Sequence, residues 1–179
     1  MKGFVCLRRL RQRRNSGSVI MGRLVLVGIL VLFVWPAWAQ VLPDPRLTPG
    51  AIDPSVREEN IGETICRPGY THRIRPPEDV SYRFKRELMA AYGHRGERLR
   101  DYELDHLIPL ELGGAPLAWA NLWVEPRRAA NGWDAARKDE LERALNDLVC
   151  THRLPLAVAQ HDIARNWIAA YRRYLGPGH

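Results

Sequence analysis

The sequence predicts an α+β domain built on a ββα unit, two short strands followed by a helix, with further helices flanking it and one disulfide. Three observations carry that prediction. Residues 102–126, YELDHLIPLELGGAPLAWANLWVEP, read as a strand through Leu104, an irregular apolar loop with Pro109 and a Gly113-Gly114 turn, and a second strand near 122–124. Apolar residues then recur at helical spacing after Asp134 and again after Pro155. Two cysteines, Cys66 and Cys150, remain in a chain whose N-terminus predicts export.

Residues 1–39 predict a signal peptide. A basic stretch (Lys2, Arg8, Arg9, Arg11, Arg13, Arg14, Arg23) precedes the apolar run 24–35 and then Pro36-Ala37-Trp38-Ala39, with small residues at the two positions a signal peptidase reads. The run falls short of the roughly 18–20 residues of a permanent span, which leaves a retained anchor as the alternative. Met21 opens a second complete signal peptide and is an alternative start. No Cys follows the run to accept a lipid, so the mature chain is expected in the periplasm or outside the cell without stable membrane association.

Export changes how the charge reads. Of 27 Lys and Arg, seven lie in residues 1–39, which hold no acid, and the remaining 20 face 20 Asp and Glu. The sequence pI of 9.8 therefore belongs to the leader. A global basic field is excluded as evidence for a polyanion partner, and any such binding must come from a local site.

In order along the mature chain, residues 40–60 carry Pro43, Pro45, Pro49 and Pro54 with Gly50, which breaks helix and ladder alike and predicts an extended arm. The domain proper is expected over 61–179. Residues 61–66 read as a short strand ending in the turn Arg67-Pro68-Gly69, and 70–75 alternate loosely up to Pro76-Pro77. Ser81 can cap a helix to Tyr92 with Phe84, Leu88 and Ala91 on its apolar face and Gly93 just past its end. Asp134 can cap a second, its buried face given by Leu141, Leu145, Leu148 and Val149. Pro155 suits the first turn of a third, carried by Ala159, Ile163, Trp167, Ala170 and Tyr174. Cys6 leaves with the leader, so Cys66 and Cys150, 84 positions apart, are expected to pair. Chain entropy gives such a closure up to about 4 kcal/mol. A two-Cys metal site is the alternative, without C-x-x-C spacing to support it.

The chemistry concentrates at Asp105-His106. A carboxylate is a hard oxygen ligand for a divalent cation, an imidazole beside it can take a proton from water, and Asn121 offers a neutral amide at the start of the next strand. Cation plus general base is the minimal equipment for hydrolysing a phosphodiester. Each residue also has a plainer reading: Asp105 as acceptor in a turn, His106 as a packing residue, Asn121 as a loop brace, Asp134 as a helix cap, Lys138 on a solvated face with Asp139, Glu140, Glu142 and Arg143. Arg73 with Arg75, and Arg127 with Arg128, can touch phosphates or sit as salt-bridged surface.

LDHLIPLELGG, then NLW, then a helix bearing Lys138 resembles the HNH, or ββα-metal, endonuclease superfamily. Within it, TIC at 64–66, RPP at 75–77, KDELE at 138–142, VC at 149–150 and AQ at 159–160 resemble a family of small exported bacterial HNH-like proteins. The resemblance implies Asp105 as a metal ligand, His106 as general base, Asn121 as the residue that fixes the loop and orients the base, and Lys138 within the catalytic group. The superfamily's further ligand, a His or Asn three residues before the helix Lys, falls on Ala135, which has no donor; Asp134 and Asn131 are the nearby substitutes. The implied cofactor is a divalent ion (magnesium, manganese, nickel or zinc), and the implied partner is nucleic acid, DNA ahead of RNA. A non-catalytic exported binding or envelope module on the same scaffold is the second reading, and a metal-dependent hydrolase of another substrate the third.

Processing after Ala39 places Gln40 at the mature N-terminus. Intact-mass measurement of the exported protein checks this, and a mass retaining residues 35–39 rejects it.

Overall fold

The structure, a computed structural model, describes residues 41–176; the expected signal peptide, its cleavage site and the alternative start at Met21 lie outside the described residues. Among those described, no helix is long and apolar enough to cross a membrane.

Two antiparallel strands, β1 (Tyr102–His106) and β2 (Leu122–Pro126), form the sheet, with Leu104 opposite Val124, Asp105 opposite Trp123 and His106 opposite Leu122. Alternation divides their side chains between two faces. Leu104, Leu122 and Val124 pack with Leu88, Met89 and Tyr92 of α2 (Glu78–Ala91). Glu103, Asp105, Trp123 and Glu125 share the other face by register. After β2 comes α3 (Ala135–Cys150), then α4 (Leu156–Tyr174), and the larger core lies where these two meet: Leu141, Leu145 and Val149 against Leu156, Ala159, Ile163 and Trp167, with Ile108 and Leu112 from the inter-strand loop. Backbone at Asn166 is extended, and its Oδ1 accepts from the Ala169 N–H, so the helix resumes beyond the interruption with a side-chain cap.

Several local expectations are corrected. Residues 61–66 are consecutive turns, not a strand, because Thr64 closes back on Asn60 through both backbone and hydroxyl and the Cys66 N–H reaches the Ile61 carbonyl. Residues 70–75 contain a short helix, α1 (Tyr70–Ile74), not an extended run. Ser81 does not cap α2: the helix starts at Glu78 after Pro77, and the Ser81 hydroxyl donates back to the Pro77 carbonyl. Its apolar face is rotated as well, with Met89 and Tyr92 buried and Ala91 exposed. Leu148 is only half-buried. Asp134 occupies the cap position of α3 without a side-chain hydrogen bond. The first N–H of α4 is instead capped from the arm, where Glu58 Oε2 accepts from Leu156 at 2.7 Å.

The Pro-rich arm lies along the inter-strand loop. Gly50 N–H donates to Ala120 O, Ala115 N–H to Ala51 O and Asp53 N–H to Gly113 O, with an isolated bridge between Ile52 and Gly114. Thr48, fully buried, donates its hydroxyl to Leu122 O and contacts the Tyr92 hydroxyl at 2.7 Å. Cys66 and Cys150 form a disulfide with Cα atoms 5.5 Å apart, joining the turn before α1 to the end of α3.

One glycine is indispensable to this loop. A Cβ on Gly114 would stand 1.7 Å from the Ile108 carbonyl oxygen and 2.8 Å from Asn121 Nδ2, both backbone-locked neighbours. Gly114→Ala is therefore expected to lower stability by about 3 kcal/mol, read by urea denaturation, with the loss confined to overpacking at the loop.

Candidate functional site

β1 ends where the loop begins, and that end is built from three side chains with separate duties. Asn121 is completely buried: its Oδ1 accepts from the Ile108 N–H at 2.9 Å while Nδ2 donates to Ile108 O at 2.9 Å and Ala115 O at 3.2 Å. Its own carbonyl accepts from Leu107 N–H. The Ala51 N–H also reaches Oδ1, at 3.4 Å, so both lone pairs of the buried amide are engaged and Asn121 is the brace that closes the loop across both strands.

His106 is nearly buried, and its Nε2 lies 2.9 Å from the Pro116 carbonyl. A carbonyl can only accept, so the proton sits on Nε2 and the Nδ1 lone pair is left over. Nδ1 makes no hydrogen bond among the described residues and is not one of the sealed, unpaired polar atoms there, which are Trp123 Nε1 and Glu125 Oε1. Burial pulls the imidazole below its ordinary pKa of 6.5, outweighing the Asp105 charge and the Pro116 hydrogen bond that favour protonation. The ring is accordingly neutral at pH 7, with a fixed tautomer.

Asp105 turns to α3. Its Oδ2 accepts from Lys138 Nζ at 2.5 Å, and that ammonium also donates to His106 O at 2.8 Å and to Glu142 Oε1. Lys138 is fully buried, so its three donors meet three acceptors and none remains for a substrate. Lys138 is thus neither on a solvated face nor able to touch a reacting group; its place is that of a positioning residue. Burial opposes ionisation of Asp105, but the Lys138 charge and hydrogen bond hold its carboxyl below the ordinary carboxylate range. Burial pushes Glu142 up to about 8 despite Lys138, and raises Glu125 well above its usual value, helped by the negative charge of Asp105. Glu125 lies on the same face of the sheet as Asp105, and its Oε1 is sealed without a hydrogen-bond partner among the described residues. Asp105 and Glu142 both contact the Lys138 ammonium, and burial disfavours ionisation of Glu142 and Glu125.

Glu142 and Glu125 are the participants that sequence reasoning missed. Spacing of four from Lys138 marks the first, and placement two residues beyond Trp123, opposite Asp105, marks the second. The remaining candidates stand apart. Asp134 makes no side-chain hydrogen bond at the start of α3, and the Asn131 Oδ1 is occupied by the Trp133 N–H at 3.1 Å. No three His, Cys, Asp or Glu side chains among the described residues are grouped as a metal cage requires. Arg73 is exposed, donating to Pro68 O and lying over the Tyr70 ring; Arg127 pairs with Glu103 at 2.6 Å. Arg75 is exposed and unpaired among the described residues, with its charge acting on His106.

Asp105, with a fifth of its side chain exposed, is an oxygen donor of the kind a divalent ion can take together with water and phosphate oxygens.

Comparison with family models, curated proteins and solved structures returns no match for this chain.

Lys138→Met removes one partner of a buried pair and leaves Asp105 without its counter-charge, so a loss of about 3–5 kcal/mol is expected in denaturant unfolding. Adding Asp105→Asn to that variant should restore a substantial part, whereas a surface lysine would give neither effect.

Proposed function

We propose that the protein is an exported HNH-type nuclease, with Asp105 and His106 as its reacting pair and nucleic-acid phosphodiesters as its substrate. The observation that carries the reading is the His106 ring: its Nε2 proton donates to Pro116 O, its pKa is depressed, and its unshared Nδ1 lone pair is unpartnered among the described residues. These are the attributes of a general base ready at neutral pH. Nδ1 takes the proton of an attacking water, and the Pro116 carbonyl steadies the imidazolium through the Nε2–H it already accepts. Asp105, kept anionic by Lys138, would hold a magnesium- or manganese-like ion, which when bound neutralises charge on the phosphate. The ββα-metal assignment rests on the motif resemblance and on the order β1, β2, α3, with Lys138 returning from the helix to the strand end. Action outside the cytoplasm rests on the predicted leader and agrees with the disulfide.

A second reading has its own support. Lys138 already neutralises Asp105 without any ion, which suits an exported binding module that keeps the scaffold without turnover.

Plasmid nicking separates the two. The nuclease cleaves with magnesium or manganese, stops with EDTA, and loses at least about a hundredfold in rate on His106→Ala with folding retained. Its rate falls only as pH drops below 6.5, because a depressed base stays neutral until then and protonation below that point removes the lone pair. Absence of cleavage with every divalent ion, together with a normally folded His106→Ala, establishes the binding module.

A further inference from the structure

The loop that returns to β2 keeps a tryptophan in water near His106. Residues 116–122 start and end at that histidine: the Pro116 carbonyl accepts from its Nε2 at 2.9 Å, and Leu122 is its partner across the ladder. Trp119 stands midway, three residues from either anchor, so its Cα lies within about 11 Å of backbone that touches His106. Trp119–Asn121 form a single 3₁₀ turn, whose far end is held by the buried Asn121 amide. The indole packs against Phe84 of α2, with ring centroids 6.0 Å apart. α2 covers the sheet face of Leu104 and Leu122, to which alternation also assigns His106, so indole and imidazole lie on one side of the sheet.

Exposure sets Trp119 apart. Among the described residues Trp123 and Trp167 are buried and Trp133 is half-buried against Trp167 and Tyr171, whereas Trp119 keeps 38% of its surface in water. Leu117, two residues earlier in the same loop, is exposed as well. The other large apolar side chains left exposed lie outside this loop: Ile52 on the arm, Tyr82 on α2, and Val158 and Leu175 on and just past α4. Tyr82 is two positions from Phe84, about 200° round the helix, and so does not share the surface on which Trp119 rests.

We propose that Trp119, with Leu117 beside it in the loop, is a stacking platform for an unpaired nucleobase, which makes single-stranded DNA the preferred substrate of the His106 site. The inference rests on the nuclease reading for its ligand class. Residues 40–179 hold equal numbers of acids and bases, so no general attraction for phosphate supplies the binding energy and a local contact has to. An exposed indole backed by a second ring offers that contact to any base, because every base has a π face. In a duplex those faces are covered by neighbouring bases, so an unpaired nucleotide is the one able to use the platform.

The test is anisotropy of a fluorescein-labelled single-stranded DNA oligonucleotide, and of the same sequence as a duplex, titrated with the purified protein in EDTA over a range of NaCl concentrations. Wild type should bind the single strand at least about fivefold more tightly than the duplex, the lower end of what one stacked base contributes. W119A should remove that preference and leave the slope of log K against log salt unchanged, since an indole releases no counterion. W119L, which keeps apolar bulk in the loop without a π face, should behave as W119A does with the fold retained. W119F should keep most of the affinity, and Y82A, at an exposed ring outside the loop, should match wild type. If W119A and W119L bind the single strand as wild type does, or wild type binds the duplex as tightly, the platform is wrong while the nuclease reading stands or falls on plasmid nicking. Affinity lost in W119A and W119L, without cleavage of plasmid or oligonucleotide by any divalent ion, supports the platform and overturns the nuclease. A wild-type protein that binds no DNA at any salt concentration overturns the platform, and nicking by that same protein leaves the enzyme reading in place without it.

Discussion

A buried ammonium fixes the relation between the strand end and the helix that follows it. Lys138 places its full complement of donors on the Asp105 carboxylate, the His106 carbonyl and the Glu142 carboxyl, with no exposure of its own. Burying an unpaired lysine costs several kcal/mol, so α3 is held in the one register that brings Nζ to these acceptors. The rest of the site depends on that choice. Asp105 remains an anion because the ammonium is beside it, its charge in turn favours the protonated forms of Glu125 and Glu142, and the carbonyl of His106 is anchored at the point where the chain leaves the sheet.

The loop after β1 solves a different difficulty, that of holding irregular backbone in a buried place without orphaned polar groups. Asn121 does most of this, since one amide answers both backbone groups of Ile108 and the Ala115 carbonyl. The Pro-rich arm does the remainder from outside by pairing with 113–120 like a partial third strand. The contact at Gly114 follows from the same closeness, since the chain folds back onto the Ile108 carbonyl with no room for a side chain. Orientation of the imidazole then costs nothing further: the Pro116 carbonyl is already placed by the loop it belongs to.

Periodicity made the sheet and the two long helices legible. The alternation around Leu104 and 122–124 and the apolar stripe of Ile163 and Trp167 are local signals that tertiary packing reinforced. The pairing of Cys66 with Cys150 was legible from their number once export was inferred. Residues 61–74 were not, because short β-branched and aromatic stretches read alike as strand or turn, and here side-chain capping by Thr64 and the geometry around Gly69 decided for turns and a one-turn helix. Lys138 and Glu142 were misplaced for a clearer reason. A run of charges such as KDELE looks solvated by composition, and only the contact with β1, 33 positions earlier, reveals that two of its members face inward. Glu125 hides in the same way, as an acid inside an apolar strand that alternation alone would send to solvent.

The balance of charge joins these features into one physical picture. A carboxylate that must meet a cation, a metal ion or a phosphate-bound counterpart, is useful only if it stays ionised in a poorly solvated place, and an ion pair with a buried lysine achieves this at the expense of part of the carboxylate's own field. Asp105 is therefore weaker as a lone ligand than a free carboxylate, and a hard ion bound there has to draw the greater share of its coordination from water and from the phosphate itself. Under the nuclease reading, such a site would gain affinity chiefly when the polyanion is present, because the phosphate oxygens would complete the ion's shell that one neutralised carboxylate leaves open.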